Sequence, residues 1–178
     1  ARALREIALS LGELPIRSGY PPSVFSVLPQ LFERAGFNDK GSITAFYTIL
    51  LATEQVEDPL GEEIRAILDG HLYLGAKLSQ VQHFPAIDIL ASNSRLMDVV
   101  ASPEHRRYAE KIKRLSAVYE ENRDLISIGA YKKGTDEAID EAIRRRPSIA
   151  EFLQQSKDLS CDFTETINQA RVISGLSL

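Results

Sequence analysis

The feature that most limits how this chain can fold is a change of periodicity near residue 100. Before it lie short apolar runs of strand type; after it the ordered stretches repeat at helical spacing. Ser42-Ile43-Thr44-Ala45-Phe46-Tyr47-Thr48-Ile49-Leu50-Leu51 is rich in β-branched and aromatic residues. It predicts a strand buried on both faces, of the kind found inside a parallel sheet. His71-Leu72-Tyr73-Leu74 predicts a second, shorter buried strand, and Phe84-Pro85-Ala86-Ile87-Asp88-Ile89-Leu90 begins extended. The helices among these strands are short. One runs from Arg2 to Leu11 and is ended by Gly12 and Pro15. A second runs from Pro22 or Ser23 to about Arg34, burying Val24, Leu28, Leu31 and Phe32. Others are expected over Leu60 to Leu68 and Ala76 to Gln80, and Gly36 to Gly41 reads as polar loop.

Past the change, Ser102-Pro103-Glu104 places a hydroxyl at the N-cap and a proline at the first helical position. That helix should continue to about Asn122 with Tyr108, Ile112, Leu115 and Val118 or Tyr119 inward. After a turn from Gly129 to Gly134, Thr135 is expected to cap a helix that stops before Pro147, because proline disfavours helical backbone in the residue before it. Ser148-Ile149-Ala150-Glu151 and Asp162-Phe163-Thr164-Glu165 both resemble capping boxes opening further helices. The expected division is therefore an α/β piece over residues 1–98 and an all-helical piece over 99–178. The first has too few strands for a complete doubly wound sheet. A chain that opens in mid-helix, without methionine or a cap, reads as a fragment.

Composition narrows the function. With 178 residues, 44% hydrophobic and 26% charged, the chain can build a real core. Its net charge of −4, with basic residues interleaved among acids, argues against a nucleic-acid binder. The single cysteine, Cys161, excludes an intrachain disulfide and favours a reducing compartment. Three histidines without a Cys/His cluster give no zinc pattern, so no metal site is expected from these residues.

Two segments carry chemistry. Phe84-Pro85 stands beside a buried strand, where an aromatic against a rigid proline can offer a flat face to a nucleobase. Taken alone, Phe84 reads rather as a core ring and Asp88 as the cap of a turn. Arg95, at the boundary of the two pieces, could stabilise charge developing on a neighbour's nucleotide, a role worth roughly 10³ to 10⁵ in rate. Taken alone, it reads rather as a surface or structural arginine. The acidic stretch Glu54, Glu57 and Asp58 has no nearby histidine or lysine to tune it for acid–base work and reads as solvated or partner-facing. No G-x-x-x-x-G-K-S/T occurs, so no loop of this chain cradles phosphates in the P-loop manner.

The segments ARALREIAL, GYPPSVF, LPQLFERAG, KGSITAFYTILL, ILDGHLYL, FPAIDILASNSRLM and NRDLISIGAYKKGTD occur in this order. Together they resemble the ATPases of type III secretion systems, injectisome and flagellar, which are relatives of the ATP synthase catalytic subunit. The resemblance implies the C-terminal half of a RecA-like P-loop NTPase domain followed by a helical C-terminal domain. It implies that ATP and Mg²⁺ are bound by the full-length protein, with the P-loop and metal ligands upstream of Ala1, so that this chain alone is inactive. It implies Arg95 as the arginine finger reaching an adjacent subunit's nucleotide, and Phe84 with Pro85 as the adenine-stacking position, where the family more often has Tyr. Glu54, Glu57 and Asp58 fall in the loop that faces a central stalk protein. The implied partners are five further copies in a homo-hexamer, the stalk, chaperone–substrate complexes and the export gate at the bacterial inner membrane, on its cytoplasmic side. The implied work is ATP hydrolysis that releases chaperones and unfolds substrates for secretion. A different class of function also fits: a stand-alone, non-catalytic module that binds chaperone–substrate complexes or a coiled-coil stalk.

Overall fold

In the computed structural model, residues 1–51 and 58–176 are described. The chain forms two compact units, Ala1–His71 and Leu72–Leu178.

The first unit holds α1 (Arg2–Ser10), α2 (Pro22–Phe32), β1 (Gly36–Asn38), β2 (Gly41–Ile43) and α3 (Pro59–Ile67). Gly12, at φ 86°, takes the left-handed conformation that ends α1, where Glu13 N–H donates to Ala8 O at 3.1 Å. Val24, Leu28 and Phe32 recur at helical spacing on α2 and pack against Leu60 and Ile64 of α3, which together form this unit's core. Leu31, expected inside, is exposed at 43%. The segment from Gly36 is a hairpin, not a loop. Asn38 Oδ1 accepts from Lys40 N (2.9 Å) and Gly41 N (3.1 Å), turning the chain so that Asn38 pairs with Gly41 and Gly36 with Ile43.

The expected long strand over Ser42–Leu51 is also corrected. Regular pairing stops at Ile43, and residues 44–51 run on without ladder hydrogen bonds. Their composition suits a sheet interior, but no neighbouring strand flanks them among the described residues. Phe46 is 91% exposed, while Tyr47 packs edge-on to Phe32 with ring centroids 4.7 Å apart.

β3 (Gly70–Leu74) is hydrogen-bonded to β4 (Ile87–Ser94), with the short helix α4 (Ala76–Gln80) between them in sequence. β3 is not the buried strand expected, since Leu72 and Leu74 are exposed. In the second unit, α5 (Met97–Val100) leads into α6 (Pro103–Ser127), α7 (Glu137–Phe152) and α8 (Phe163–Ser174). Ser102 Oγ accepts from His105 N at 3.2 Å and starts α6, which continues five residues past the expected end. Tyr108, Ile112 and Leu115 of α6, Ala142 and Ile149 of α7 and Ala170 of α8 form the core, against which Ile89 of β4 packs.

α7 departs from expectation in three ways. Asp136, not Thr135, caps it, accepting from Ala138 N (2.8 Å) and Ile139 N (3.2 Å); the Thr135 hydroxyl instead donates to Lys132 O and closes the preceding turn. Pro147 lies inside the helix rather than beyond it, so Ser148–Glu151 opens nothing new. An interior proline costs about 3 kcal/mol. Ala142 and Ile149, each 1% exposed, are buried on either side of it, and Phe152 and Leu153 pack against the same core. At about 1.5–3 kcal/mol per large apolar side chain, that burial offsets the proline. Asp162 caps α8 as expected, accepting from Thr164 N at 2.9 Å. Among the described residues, no helix is long and apolar enough to cross a membrane.

Candidate functional site

The residues singled out for nucleotide chemistry lie at the two ends of β4. Phe84-Pro85 precedes the strand and Arg95 follows it. The eight residues of β4 separate them in the chain. The structure therefore places the aromatic and the cation in one unit and keeps them apart.

At the aromatic end, the Phe84 ring is 47% exposed and the Phe84–Pro85 peptide is cis. The backbone around the ring is tied down on both sides. Phe84 O accepts from Gln155 N at 2.9 Å, just past the end of α7, and Ala86 O accepts from Gly75 N at 2.9 Å, ahead of α4. The preceding residue, His83, is buried. Its N–H donates to Leu78 O (2.9 Å), and its Nδ1 lies 3.2 Å from Gln154 Nε2. A half-exposed ring on an immobilised backbone suits a stacking face better than a core role, since a core ring would be covered.

Within β4, Asp88 Oδ1 accepts from Leu90 N (2.9 Å) and Ala91 N (3.0 Å), so this carboxylate turns the backbone locally. Ser92 is the strand's most connected residue. Its hydroxyl donates to Asp88 O at 2.6 Å and accepts from Tyr73 N at 2.9 Å, and its carbonyl accepts from Lys113 Nζ of α6 at 2.8 Å. Arg95 is exposed one residue past the strand's end. Three residues further on, Asp98 meets Arg106 of α6: Nη1 lies 3.3 Å from the Asp98 carbonyl oxygen and 3.4 Å from Oδ1. Of the acidic stretch, Glu54 and Glu57 lie outside the described residues. Asp58 is the N-cap of α3, its Oδ1 accepting from Leu60 N at 2.9 Å and Gly61 N at 3.4 Å.

His83, Gln155, Lys113 and Arg106 have no local signature in sequence, because each meets β4 or its approach only through the fold. The one available hint is that Arg106 and Lys113 are seven apart on α6 and so share a face. The groups whose titration the fold displaces most clearly are on the helical part. The Glu104 carboxyl is held below its usual range by its own backbone N–H and the Ser102 hydroxyl at the start of α6. The Tyr131 phenol is raised by desolvation and by its hydrogen bond to Asp140.

A two-stranded remnant with aromatic and arginine at opposite ends of β4, followed by a helical cluster, defines a class: an ATP synthase-type nucleotide-binding domain with a helical C-terminal domain. Two family models cover the chain in that order. Residues 1–94 match the nucleotide-binding domain of the ATP synthase alpha/beta family, and residues 101–171 match the T3SS EscN ATPase C-terminal domain. The SPI-2 type 3 secretion system ATPase of Salmonella typhimurium is 50% identical over 161 residues, covering 90% of this chain and 37% of that protein. The assembled ATPase EscN of the enteropathogenic E. coli type III secretion system superposes with a TM-score of 0.92 at 49% identity, over 97% of this chain and 42% of that one. EscN in complex with its central stalk EscO gives 0.86 at 46% identity, over 98% of this chain and 41% of that one. The chain belongs to the ATP synthase alpha/beta family and, within it, to the type III secretion system ATPases. It spans about two fifths of the length of these relatives.

Proposed function

We propose that the chain is the C-terminal part of an ATPase that powers type III protein secretion, with residues 1–98 completing a nucleotide-binding domain and 99–178 forming a partner-binding helical domain. The observation that carries this is the placement of Phe84 and Arg95 at opposite ends of β4. Placement at opposite ends of one strand suits two different nucleotides: the ring serves the adenine of its own subunit and the guanidinium serves the neighbour's. In this reading Phe84 and Pro85 pack on the base and leave the phosphates to residues outside this chain. The Arg95 guanidinium stabilises negative charge developing on the phosphoryl oxygens across the subunit boundary.

Mg²⁺ would supply charge neutralisation at the phosphates. The donor set of this chain fits only the base, because its sequence has no phosphate-cradling loop and its acidic loop ends in an aspartate already capping α3. The chain by itself should therefore not turn over ATP. The full protein would work as a homo-hexamer on the cytoplasmic face of the inner membrane, at the export gate. Glu54, Glu57 and Asp58 would face a central stalk, and the helices after Ser102 would receive chaperone–substrate complexes, releasing the chaperone and unfolding the substrate. EscN, the similar protein solved both assembled and with its central stalk EscO, supports the ring and the stalk.

The test is kinetic, in the full-length protein. Arg95→Ala should leave ATP binding near normal and lower turnover by about two orders of magnitude or more. Phe84→Ala should instead raise KM by about fivefold, the low end of what one base–aromatic stack contributes, while Phe84→Tyr stays close to wild type. Wild-type turnover in Arg95→Ala would remove the finger assignment.

A further inference from the structure

Arg95 lies one residue past the end of β4, where the sheet ladder no longer fixes the backbone. An arginine acting across a subunit boundary has to be held to within a fraction of an ångström, and a displacement of about 1 Å can cost on the order of a hundredfold in rate. Two groups of α6 hold the chain on either side of it. Lys113 Nζ donates to Ser92 O at 2.8 Å, three residues before Arg95. Arg106 Nη1 meets Asp98 O and Oδ1 at 3.3 and 3.4 Å, three residues after it. The two cations are seven residues apart, two helical turns and about 10.5 Å along one face of α6.

The anchors are unequal. The Arg106–Asp98 contact is long and the Asp98 side chain is 82% exposed, which makes it a weak surface pair. The Lys113 bond is shorter, partly buried and charge-assisted. It also ends on Ser92, whose hydroxyl bridges Asp88 O and Tyr73 N, so a pull on this carbonyl is transmitted to both strands. α6 is itself fixed by Tyr108, Ile112 and Leu115 in the core.

We propose that Lys113, assisted by Arg106, is a positioning residue for the Arg95 finger: the helical domain, through α6, sets where the guanidinium points. This rests on the reading of Arg95 given above. Lys113 touches no nucleotide, so its removal should act on turnover and not on ATP binding.

The experiment uses the full-length ATPase, with steady-state phosphate release for kcat and KM and mass measurement for ring assembly. Lys113→Met keeps the aliphatic stem and removes the donor. It should lower kcat about ten- to a hundredfold with KM within twofold and assembly retained. Lys113→Arg, which can still donate to the Ser92 carbonyl, should recover kcat to within about threefold of wild type. In the Arg95→Ala background, Lys113→Met should have no further effect on kcat, because a positioning residue has nothing left to position. An unchanged kcat in Lys113→Met, or losses that multiply in the double variant, overturns the inference. If Lys113→Met does not assemble, Lys113→Gln, polar but too short to reach the Ser92 carbonyl, decides: a loss confined to kcat supports the inference and wild-type kcat overturns it. Wild-type turnover in Arg95→Ala alone overturns the finger reading and this inference with it. A normal Arg95→Ala loss beside an intact Lys113→Met overturns this inference only.

Discussion

In Leu72–Leu178, three helices bury Tyr108, Ile112, Leu115, Ala142, Ile149 and Ala170 against one another, and each helix starts on a side-chain cap from Ser102, Asp136 or Asp162. In Ala1–His71, two helices share a smaller core, and neither α1 nor α2 has a side-chain cap. The run after Ile43 there, the most strand-like in the sequence, joins no ladder among the described residues, and its Phe46 is 91% exposed while Tyr47 and Ile49 pack on the core. The contrast separates apolar residues that find partners among neighbours close in sequence from those that need a strand brought from elsewhere. Helix pairs joined by short turns meet the first condition. A strand built to be covered on both faces does not.

The largest effect that bears on this contrast is expected in the helical core. Ile149 is 1% exposed and anchors the half of α7 that follows Pro147. Ile149→Ala should cost about 2–5 kcal/mol, the range for a buried isoleucine that leaves a cavity, with the C-terminal half of α7 lost first. Chemical denaturation of the 178-residue chain, followed by amide hydrogen exchange across 148–152, measures both quantities. A cost below about 1 kcal/mol would mean that the helical core is no better consolidated than the first unit.

Legibility from sequence followed the same line. The helix starts at Ser102-Pro103 and Asp162 were readable because capping is local chemistry, a side-chain oxygen two or three residues from the amides it accepts. The hairpin at Gly36–Ile43 was missed because Asn38-Asp39-Lys40-Gly41 looks like any polar loop until Asn38 Oδ1 is seen to accept from two amides. Pro147 misled because proline is a strong local signal that burial of Ile149 overrides. For the candidate site, Phe84, Pro85 and Arg95 stood out through the ordered segments around them, and spacing alone left each ambiguous. The supporting groups were invisible: Lys113 reaches Ser92 across 21 residues, and Gln154 reaches His83 across 71.

A middle-sized effect concerns the caps. The Asp162 carboxylate accepts from Thr164, and these hydrogen bonds hold its pKa below the ordinary value in the folded chain. A folded-state pKa below the unfolded one contributes stability that is complete above the unfolded value, near 3.9, and is lost as pH falls through the folded one. The midpoint difference between wild type and Asp162→Ala should therefore be constant from pH 7 to about 5 and shrink as pH drops below about 4. A difference that persists undiminished at pH 2 would show that the hydrogen bond survives protonation and that charge is not what stabilises the start of α8.

The smallest expected effect is at Phe46. A side chain 91% exposed has little burial to lose, so Phe46→Ser in the 178-residue chain should change stability by less than about 0.5 kcal/mol. The same substitution also removes an exposed ring from the segment Thr44 to Leu51, which joins no ladder among the described residues, the arrangement that invites strand-to-strand association. The two consequences separate cleanly by concentration. If the first unit stands as described, dilute samples of the variant and wild type should unfold alike, and concentrated wild type should self-associate more than the variant. A cost above about 1.5 kcal/mol at low concentration would put Phe46 in a packed interior and erase the contrast between the two units at its most exposed point.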